Sequence, residues 1–272
     1  LFNLLFIAIL YSSRSANMPN SQNKITAALI IIGNEILSGR TKDANLNYIA
    51  SQLIRLGIDL YEVRVVRDQE SQIIKAINEL RESHNYVFTT GGIGPTHDDI
   101  TCESVSKALG RRYILNADAH AILKDYYDGS DKELNEARLR MAYIPEGAKL
   151  IENPISKAPG FIVDNVIVMA GIPAVMQAMF QGVAPLLETG NRIFSKSLSV
   201  MAGEGDIAKS LGELQTKWKL VEIGSYPFVK NNNYGTTLVL RTSDLKTLNS
   251  AFEDLKAFIS PLDVIFEIND DE

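Results

Sequence analysis

The residues best suited to chemistry lie in one run, TTGGIGPTHDDIT, between Thr89 and Thr101. Gly91, Gly92 and Gly94 follow an apolar segment and precede a helix-like one. Glycines at such a junction let backbone N–H groups approach a phosphate and point at it, and a helix N terminus adds partial positive charge. By themselves the glycines fit a tight strand-to-helix turn equally well. The run has neither the Gly-Lys-Ser/Thr ending of a Walker A loop nor the third glycine of the dinucleotide fingerprint.

Two adjacent carboxylates, Asp98 and Asp99, close this run. In most proteins such a pair only complements the helix dipole. Beside a phosphate, however, both carboxylates would repel the ligand unless a cation lay between them, and Mg²⁺ binds through one or two carboxylates plus phosphate oxygens. We therefore predict a divalent cation (Mg²⁺, Mn²⁺ or Co²⁺) at Asp98 and Asp99. Thr96 is predicted to bind phosphate together with the three glycines.

Further polar residues follow the neighbouring strands of the predicted sheet. Ligands of open parallel sheets collect beyond the carboxyl ends of the strands. Asp68 follows the strand predicted at 59–66 and would bring a third carboxylate to the same site. The remaining candidates for nucleotide contacts at this edge are Gly33, Glu35, Asp43 and Asn45.

The positions of these residues depend on an alternation of strands and helices. An apolar run predicts a strand at 26–32, β-branched enrichment predicts a second at 59–66, and a third is predicted at 86–90. Helical spacing of apolar residues predicts helices at 44–56 and 71–80. Such alternation is typical of βαβ units and a parallel sheet. We predict a three-layer α/β/α domain around a mostly parallel sheet. The tail has the order β-α-β-β-α, which predicts a small α+β domain.

The chain divides into three predicted parts. Residues 24–190 form the α/β domain that carries the phosphate-binding site, and residues 191–272 form the small α+β domain. Residues 1–23 are predicted to be a disordered or incorrectly assigned extension, with the protein starting near Met18. A cleaved signal peptide is the alternative, although no lysine or arginine precedes the apolar run.

Composition limits the function classes. The 272 residues carry a net charge of −6, with a pI of about 5.3, which argues against nucleic-acid binding through a broad basic surface. The element order of the tail suggests a partner-binding module that could contact RNA, but the tail lacks the GXXG loop of KH domains. The N-terminal apolar run of ten residues is too short to span a bilayer. Cys102 is the single cysteine, which excludes intrachain disulfides and is compatible with the cytoplasm.

The run GGIGPTHDDIT resembles the GGxGxxxxD(D)xT signature of MoaB/Mog-like molybdopterin-binding domains. The likeness is greatest to the branch of competence/damage-inducible protein A (CinA-like), and it extends to the molybdopterin-binding-like domain of FAD synthetases. It covers most of the chain, including GNEILSGRTKDANLNYIASQL, IPEGAKLIENPISKAPGF, MAGIPAVMQAMF and IGSYPF.

The resemblance implies roles for individual residues. Asp68 and Asp99 match the active-site aspartates of the family, Asp98 fits its Asp-Asp variant, and the three glycines match its phosphate loop. It implies metal-dependent hydrolysis of a nucleotide pyrophosphate such as ADP-ribose or FAD. The alternative is molybdopterin binding or adenylylation in molybdenum cofactor biosynthesis. It also implies a homo-oligomer, a dimer or trimer, with a small-molecule ligand.

Overall fold

The computed structural model of the protein describes residues 25–230, 233–260 and 266–269. The predicted extension at residues 1–23 lies outside these ranges. No helix within them is long and apolar enough to cross a membrane.

Strands and helices alternate along most of the chain. The strands are β1 (Thr26–Ile32), β2 (Asp59–Val66), β3 (Tyr86–Thr90), β4 (Tyr113–Leu115), β5 (Tyr143–Pro145), β6 (Lys149–Ile151), β7 (Gly160–Val163), β8 (Val166–Met169), β9 (Phe194–Val200), β10 (Glu222–Lys230), β11 (Asn233–Thr242) and β12 (Phe266–Asn269). The α-helices are α1 (Asn34–Leu37), α2 (Asn45–Arg55), α3 (Glu70–Ser83), α4 (Thr101–Ala108), α5 (Ala117–Asp128), α6 (Glu136–Leu139), α7 (Pro173–Val183), α8 (Glu204–Lys217) and α9 (Leu245–Ile259).

The larger sheet has six strands in the order β2-β1-β3-β8-β7-β6. The first four of these run parallel, and the β8-β7-β6 portion is antiparallel. The predicted mostly parallel sheet is therefore confirmed. Parallel strands end at the same edge, so the residues after β1, β2, β3 and β8 are brought together there.

Helices cover both faces of this sheet. Phe88 of β3 packs against Phe180 of α7, with ring centroids 5.8 Å apart, and Phe180 meets Tyr48 of α2 at 6.0 Å. Arg64 of β2 pairs instead with Glu79 of α3. Phe88 and Arg64 are in register with the consecutive residues 29 and 30 of β1. Because consecutive residues of a strand point to opposite faces, α2 and α7 lie on one face and α3 on the other, which confirms the three-layer fold.

The tail forms an antiparallel sheet in the order β10-β11-β9-β12. Its buried apolar residues form a hydrophobic cluster separate from the main one. The predicted β-α-β-β-α order is extended by β12. β10 begins at Glu222 and continues through Pro227 to Lys230. Proline is tolerated there because β10 is an edge strand.

Candidate functional site

A cavity of about 660 Å³ opens at the carboxyl edge of the larger sheet. Its volume is in the usual range for small-molecule sites. The loops after β1, β2, β3 and β8 all contribute to its wall. The sequence-predicted residues that line it are Gly33, Glu35, Asp68, Gly91, Gly92, Gly94, Thr96, Asp98 and Asp99.

The glycine loop after β3 adopts backbone conformations that favour glycine. Gly91 has φ +101° and Gly92 has φ +68°. A Cβ at Gly91 would lie 2.2 Å from the carbonyl oxygen of Ile32, and one at Gly92 would lie 2.2 Å from Oγ1 of Thr101. Both glycines are thus required by space as well as by φ.

Thr101 fastens this loop to the following helix. Its hydroxyl donates to the carbonyl of Gly91 at 2.9 Å, and its backbone N–H donates to the carbonyl of Gly92 at 3.0 Å. Thr101 is the first residue of α4, and no side chain caps that end of the helix. Its two hydrogen bonds hold the shape of the glycine loop.

The backbone donors available to a ligand differ from those expected. The N–H of Gly91 donates to the carbonyl of Met169 at 3.2 Å and continues the sheet. Within the described part of the chain, the N–H groups of Gly92, Ile93 and Gly94 have no hydrogen-bond acceptor. These three, rather than Gly91, can donate to a phosphate.

Asp98 and Asp99 converge on one threonine. Oδ1 of Asp98 and Oδ2 of Asp99 each lie 2.6 Å from the hydroxyl oxygen of Thr96, and the Thr96 N–H donates to Asp99 at 2.8 Å. A hydroxyl has one proton, so it can donate to only one carboxylate at a time. The Thr96 hydroxyl, with the backbone N–H of Asp98, lowers the pKa of the Asp98 carboxyl. The same threonine thus holds the two carboxylates close together.

Asp68 and Glu35 supply two more carboxylates from the adjacent strand ends. Oδ2 of Asp68 accepts the backbone N–H of Asn34 at 2.8 Å. Glu35 folds back over Gly33, where a Cβ would meet its Oε1 at 2.4 Å. The bond to Asn34 fixes the loop after β1 to the loop after β2.

Arg140, at the end of α6, supports the aspartate pair from outside the cavity. Its guanidinium donates to the carbonyls of Thr96 at 3.2 Å and Asp99 at 3.3 Å. Arg140 thus stabilises the turn that carries the two carboxylates.

Two predicted residues do not line the cavity. Asp43 accepts the N–H of Leu46 at 2.8 Å, next to the start of α2. Asn45 is buried and donates to the carbonyl of Gly171 at 2.8 Å, so it fixes a loop that forms the wall. Asp43 and Asn45 thus act on local structure. Asn45 affects the cavity only indirectly, through the loop that it fixes, and not through the predicted nucleotide contact.

Sequence reasoning missed a supporting loop at 153–158. The buried side chain of Asn153 donates to Oγ of Ser156 and to the carbonyl of Ala158, and it accepts the N–H groups of Ile155 and Ser156. Lys157 has φ +63°, a strained value for a residue other than glycine. Thr41, Tyr127, Met141, Ile172, Pro173 and Val175 also line the cavity and were not predicted from their pattern.

The charged groups that line the cavity are all acidic. Glu35, Asp68, Asp98 and Asp99 face it, and among the described residues no lysine, arginine or histidine does. Within the same ranges, no group of three or more His, Cys, Asp or Glu side chains is arranged to hold a metal ion. A cation at Asp98 and Asp99 would accordingly draw its other ligands from water or from phosphate oxygens, which suits Mg²⁺.

Cys102 takes no part in this chemistry. It is buried in α4, and burial, followed by the charge of Asp99, raises the pKa of its thiol to about 12. A thiol with so high a pKa is a poor nucleophile, in agreement with the structural role expected for it.

Comparison with known proteins identifies the family. A sequence model described as "Probable molybdopterin binding domain" matches residues 28–189, and one described as "FAD synthase, middle domain" matches residues 192–267. A CinA-like protein of Kosmotoga olearia is 36% identical over 196 residues, 69% of this chain and 48% of the relative. The chain thus spans about half the length of that relative. A protein of Pyrobaculum calidifontis is 35% identical over 211 residues, covering 74% of this chain and 80% of the relative.

A solved structure agrees with this result. The crystal structure of the protein CinA, with unknown function, from Thermoplasma acidophilum is 35% identical to this chain. It superposes with a TM-score of 0.56 and covers 59% of this chain and 96% of its own. The chain belongs to the MoaB/Mog-like family of probable molybdopterin-binding domains, among its CinA-like members.

Proposed function

We propose that the protein hydrolyses a nucleotide pyrophosphate of the ADP-ribose or FAD type with a divalent cation. The observation that carries the proposal is the lining of the cavity. Among the described residues, it contains three backbone N–H groups without an acceptor, those of Gly92, Ile93 and Gly94, and four carboxylates, but no basic side chain. An anionic pyrophosphate could enter such a site only with a cation. The volume of about 660 Å³ suits a nucleotide.

Each part of the site has a proposed role. The N–H groups of Gly92, Ile93 and Gly94 hold one phosphate, and Asp98 and Asp99 hold the cation. When bound, Mg²⁺, Mn²⁺ or Co²⁺ would polarise the phosphoryl group and lower the pKa of a bound water. Asp68 is fixed by the Asn34 N–H and is free through its second oxygen to orient the attacking water.

Apolar side chains also line the cavity and suit a base or flavin ring. They include Tyr127, Met141, Ile172 and Val175. The guanidinium of Arg138 lies 5.0 Å from the ring centroid of Tyr127 and restricts the position of that ring. A planar ligand ring would pack against these residues while its phosphates reached the glycine loop.

The direct test is incubation of the purified protein with ADP-ribose and with FAD, each with Mg²⁺, Mn²⁺, Co²⁺ or EDTA. We expect AMP release that requires metal. Absence of AMP under every condition would overturn the hydrolase proposal. In that case, tight binding of molybdopterin would support the second candidate, which the family description favours.

Arg140 provides a test of the aspartate pair without altering either carboxylate. Replacing it with methionine removes both bonds to the loop carbonyls, so the two aspartates should be less well positioned. We expect the affinity for Mn²⁺ to fall roughly tenfold, as for other groups that orient metal ligands. Isothermal titration measures the affinity.

The conservative variant Arg140→Lys should restore part of the affinity for Mn²⁺, because its ammonium can still donate to one carbonyl. An Mn²⁺ affinity unchanged in Arg140→Met would show that the turn is rigid without this residue.

Light scattering of the same samples tests the proposed dimer or trimer.

A further inference from the structure

β2 forms an open edge of the larger sheet. It is the outermost strand in the order β2-β1-β3-β8-β7-β6, and among the described residues it pairs only with β1. The strand extends over eight residues, of which Tyr61, Val63 and Val65 are 70%, 36% and 39% exposed. A long edge strand with exposed apolar side chains is a template for pairing with another strand.

The other edge strands that the structure describes carry features that discourage such pairing. β4, β5 and β6 have only three residues each, and β12 has four. β10 contains Pro227, which lacks the N–H that pairing needs. β2 has neither proline nor lysine. The shift in its register with β1 lies between Ala27 and Ala28, so residues 62–66 pair regularly with residues 28–32.

The backbone of β2 presents hydrogen-bonding groups outward at Val63 and Val65. The carbonyl of Val66 accepts the N–H of Gly33, so the backbone groups of Val66 face β1. The N–H and C=O groups of successive strand residues point to opposite sides. Those of Val65 and Val63 therefore point away from β1, where an added strand could bind them.

The charges along β2 favour a second copy of the same strand in one register. Glu62 and Arg64 flank Val63. When two copies run antiparallel with Val63 opposite Val63, Glu62 of each copy lies opposite Arg64 of the other. Centring the pair on Glu62 or on Arg64 would instead place like charges opposite each other, which is destabilising. The registers between these would set outward backbone groups against inward ones.

Arg64 retains a donor for this contact. Its Nε donates to Glu62 of its own chain at 2.6 Å, and its Nη1 pairs with Glu79 of α3. Within the described part of the chain, Nη2 has no acceptor. It can therefore donate to Glu62 of the partner subunit, and the two-fold axis repeats the same bond on the other side.

We propose that the β2 edge is the interface of a homodimer, in which β2 pairs antiparallel with β2 of a second copy about a two-fold axis at Val63. The two larger sheets then form one continuous sheet. The carboxyl edges of the two copies face opposite directions, so each subunit keeps its own cavity. The interface needs neither metal nor substrate, and this inference is therefore independent of the hydrolase proposal.

Sedimentation velocity of the full-length protein at micromolar concentration, without metal, tests the interface. We expect a species with twice the 30.0 kDa mass of one chain. Val63→Lys places two ammonium groups at the axis and should raise the dimer Kd roughly tenfold or more. A monomeric or trimeric wild type, or an unchanged Kd in Val63→Lys, would overturn the proposal.

Val229→Lys is the matched control. Val229 is also an exposed valine on an edge strand, β10, and is 63% exposed. The same substitution there should leave the dimer intact, because β10 takes no part in the proposed interface. Equal dissociation by the two substitutions would contradict the assignment to β2.

An exchange of charges tests the register. Glu62→Lys sets a lysine opposite Arg64, and Arg64→Glu sets a glutamate opposite Glu62, so each variant alone should dimerise roughly tenfold or more weakly than the wild type. In an equal mixture, opposite charges face each other again at both positions. The mixture should therefore form a heterodimer, which a merely damaged fold would not do. A mixture that stays monomeric would count against the proposal.

Hydrogen exchange distinguishes a second copy from another segment of the same chain as the strand that covers β2. The amides of Val63 and Val65 should be protected at concentrations that favour the dimer. They should exchange rapidly on dilution and in Val63→Lys, because their N–H groups then face water. Protection that persists in the monomer would show that the chain covers its own edge, and it would overturn the proposal.

Discussion

Replacing Asp99 with asparagine is expected to lower metal-dependent hydrolysis of ADP-ribose or FAD by about 1,000-fold or more. The amide keeps the size of the carboxylate and can still accept from the N–H and hydroxyl of Thr96. It removes one of the two charges that would hold the cation. The loop should therefore keep its shape while the affinity for metal falls. Steady-state rates of AMP release over a range of Mn²⁺ concentrations measure the effect.

Asp43→Asn is the matched control for this variant. Asp43 accepts a single backbone N–H, that of Leu46, and does not line the cavity. The same change of carboxylate to amide there should leave the rate within about twofold of the wild type, because it touches neither the ligand nor its supports. Equal losses of activity in Asp43→Asn and Asp99→Asn would refute a specific role for Asp99.

The strands that carry the site were predictable from the sequence for a physical reason. β1 is buried along almost its whole length and appears as a continuous apolar run. β2 is at the edge of the sheet and was recognisable by its β-branched residues instead. Both strands and β3 have the predicted bounds. The residues that follow them therefore meet at one edge, as predicted for Asp68, Asp98 and Asp99.

The remainder of the site depends on tertiary contacts that leave no local pattern. Asn153 acts through hydrogen bonds to its own loop, and Arg140 acts on backbone carbonyls of residues more than 40 positions away. Neither interaction has a periodicity that could be recognised in the sequence. The Gly91 N–H cannot donate to a phosphate because β3 pairs with β8, and this pairing likewise leaves no local pattern.

Two glycines with positive φ, Gly91 and Gly110, have sharply different surroundings, which no sequence pattern reveals. Gly91 has φ +101° and lies against the Ile32 carbonyl, whereas Gly110 has φ +61° and has open space where a Cβ would lie. This difference allows the cost of backbone strain to be separated from the cost of a steric clash.

Gly91→Ala is expected to lower the free energy of unfolding by about 3 kcal/mol or more. Positive φ costs an alanine about 1–2 kcal/mol, and overpacking adds about 1–3 kcal/mol. The clash is with a backbone carbonyl of β1 at 2.2 Å, which cannot rotate away as a side chain could. The variant must either move the end of β1 or displace the glycine loop. Each of these two segments carries residues that line the cavity. Urea denaturation followed by circular dichroism measures the stability.

Gly110→Ala is the matched control, since it imposes positive φ without a clash. It should cost only about 1–2 kcal/mol and leave hydrolysis and metal affinity unchanged, because Gly110 lies after α4 and outside the cavity. Equal destabilisation by the two substitutions would mean that φ alone accounts for Gly91 and that the loop can yield to a methyl group. A larger loss for Gly91→Ala, accompanied by loss of metal binding, would instead show that the contact between Gly91 and the Ile32 carbonyl sets the distance between the phosphate loop and the carboxylates of the neighbouring strands.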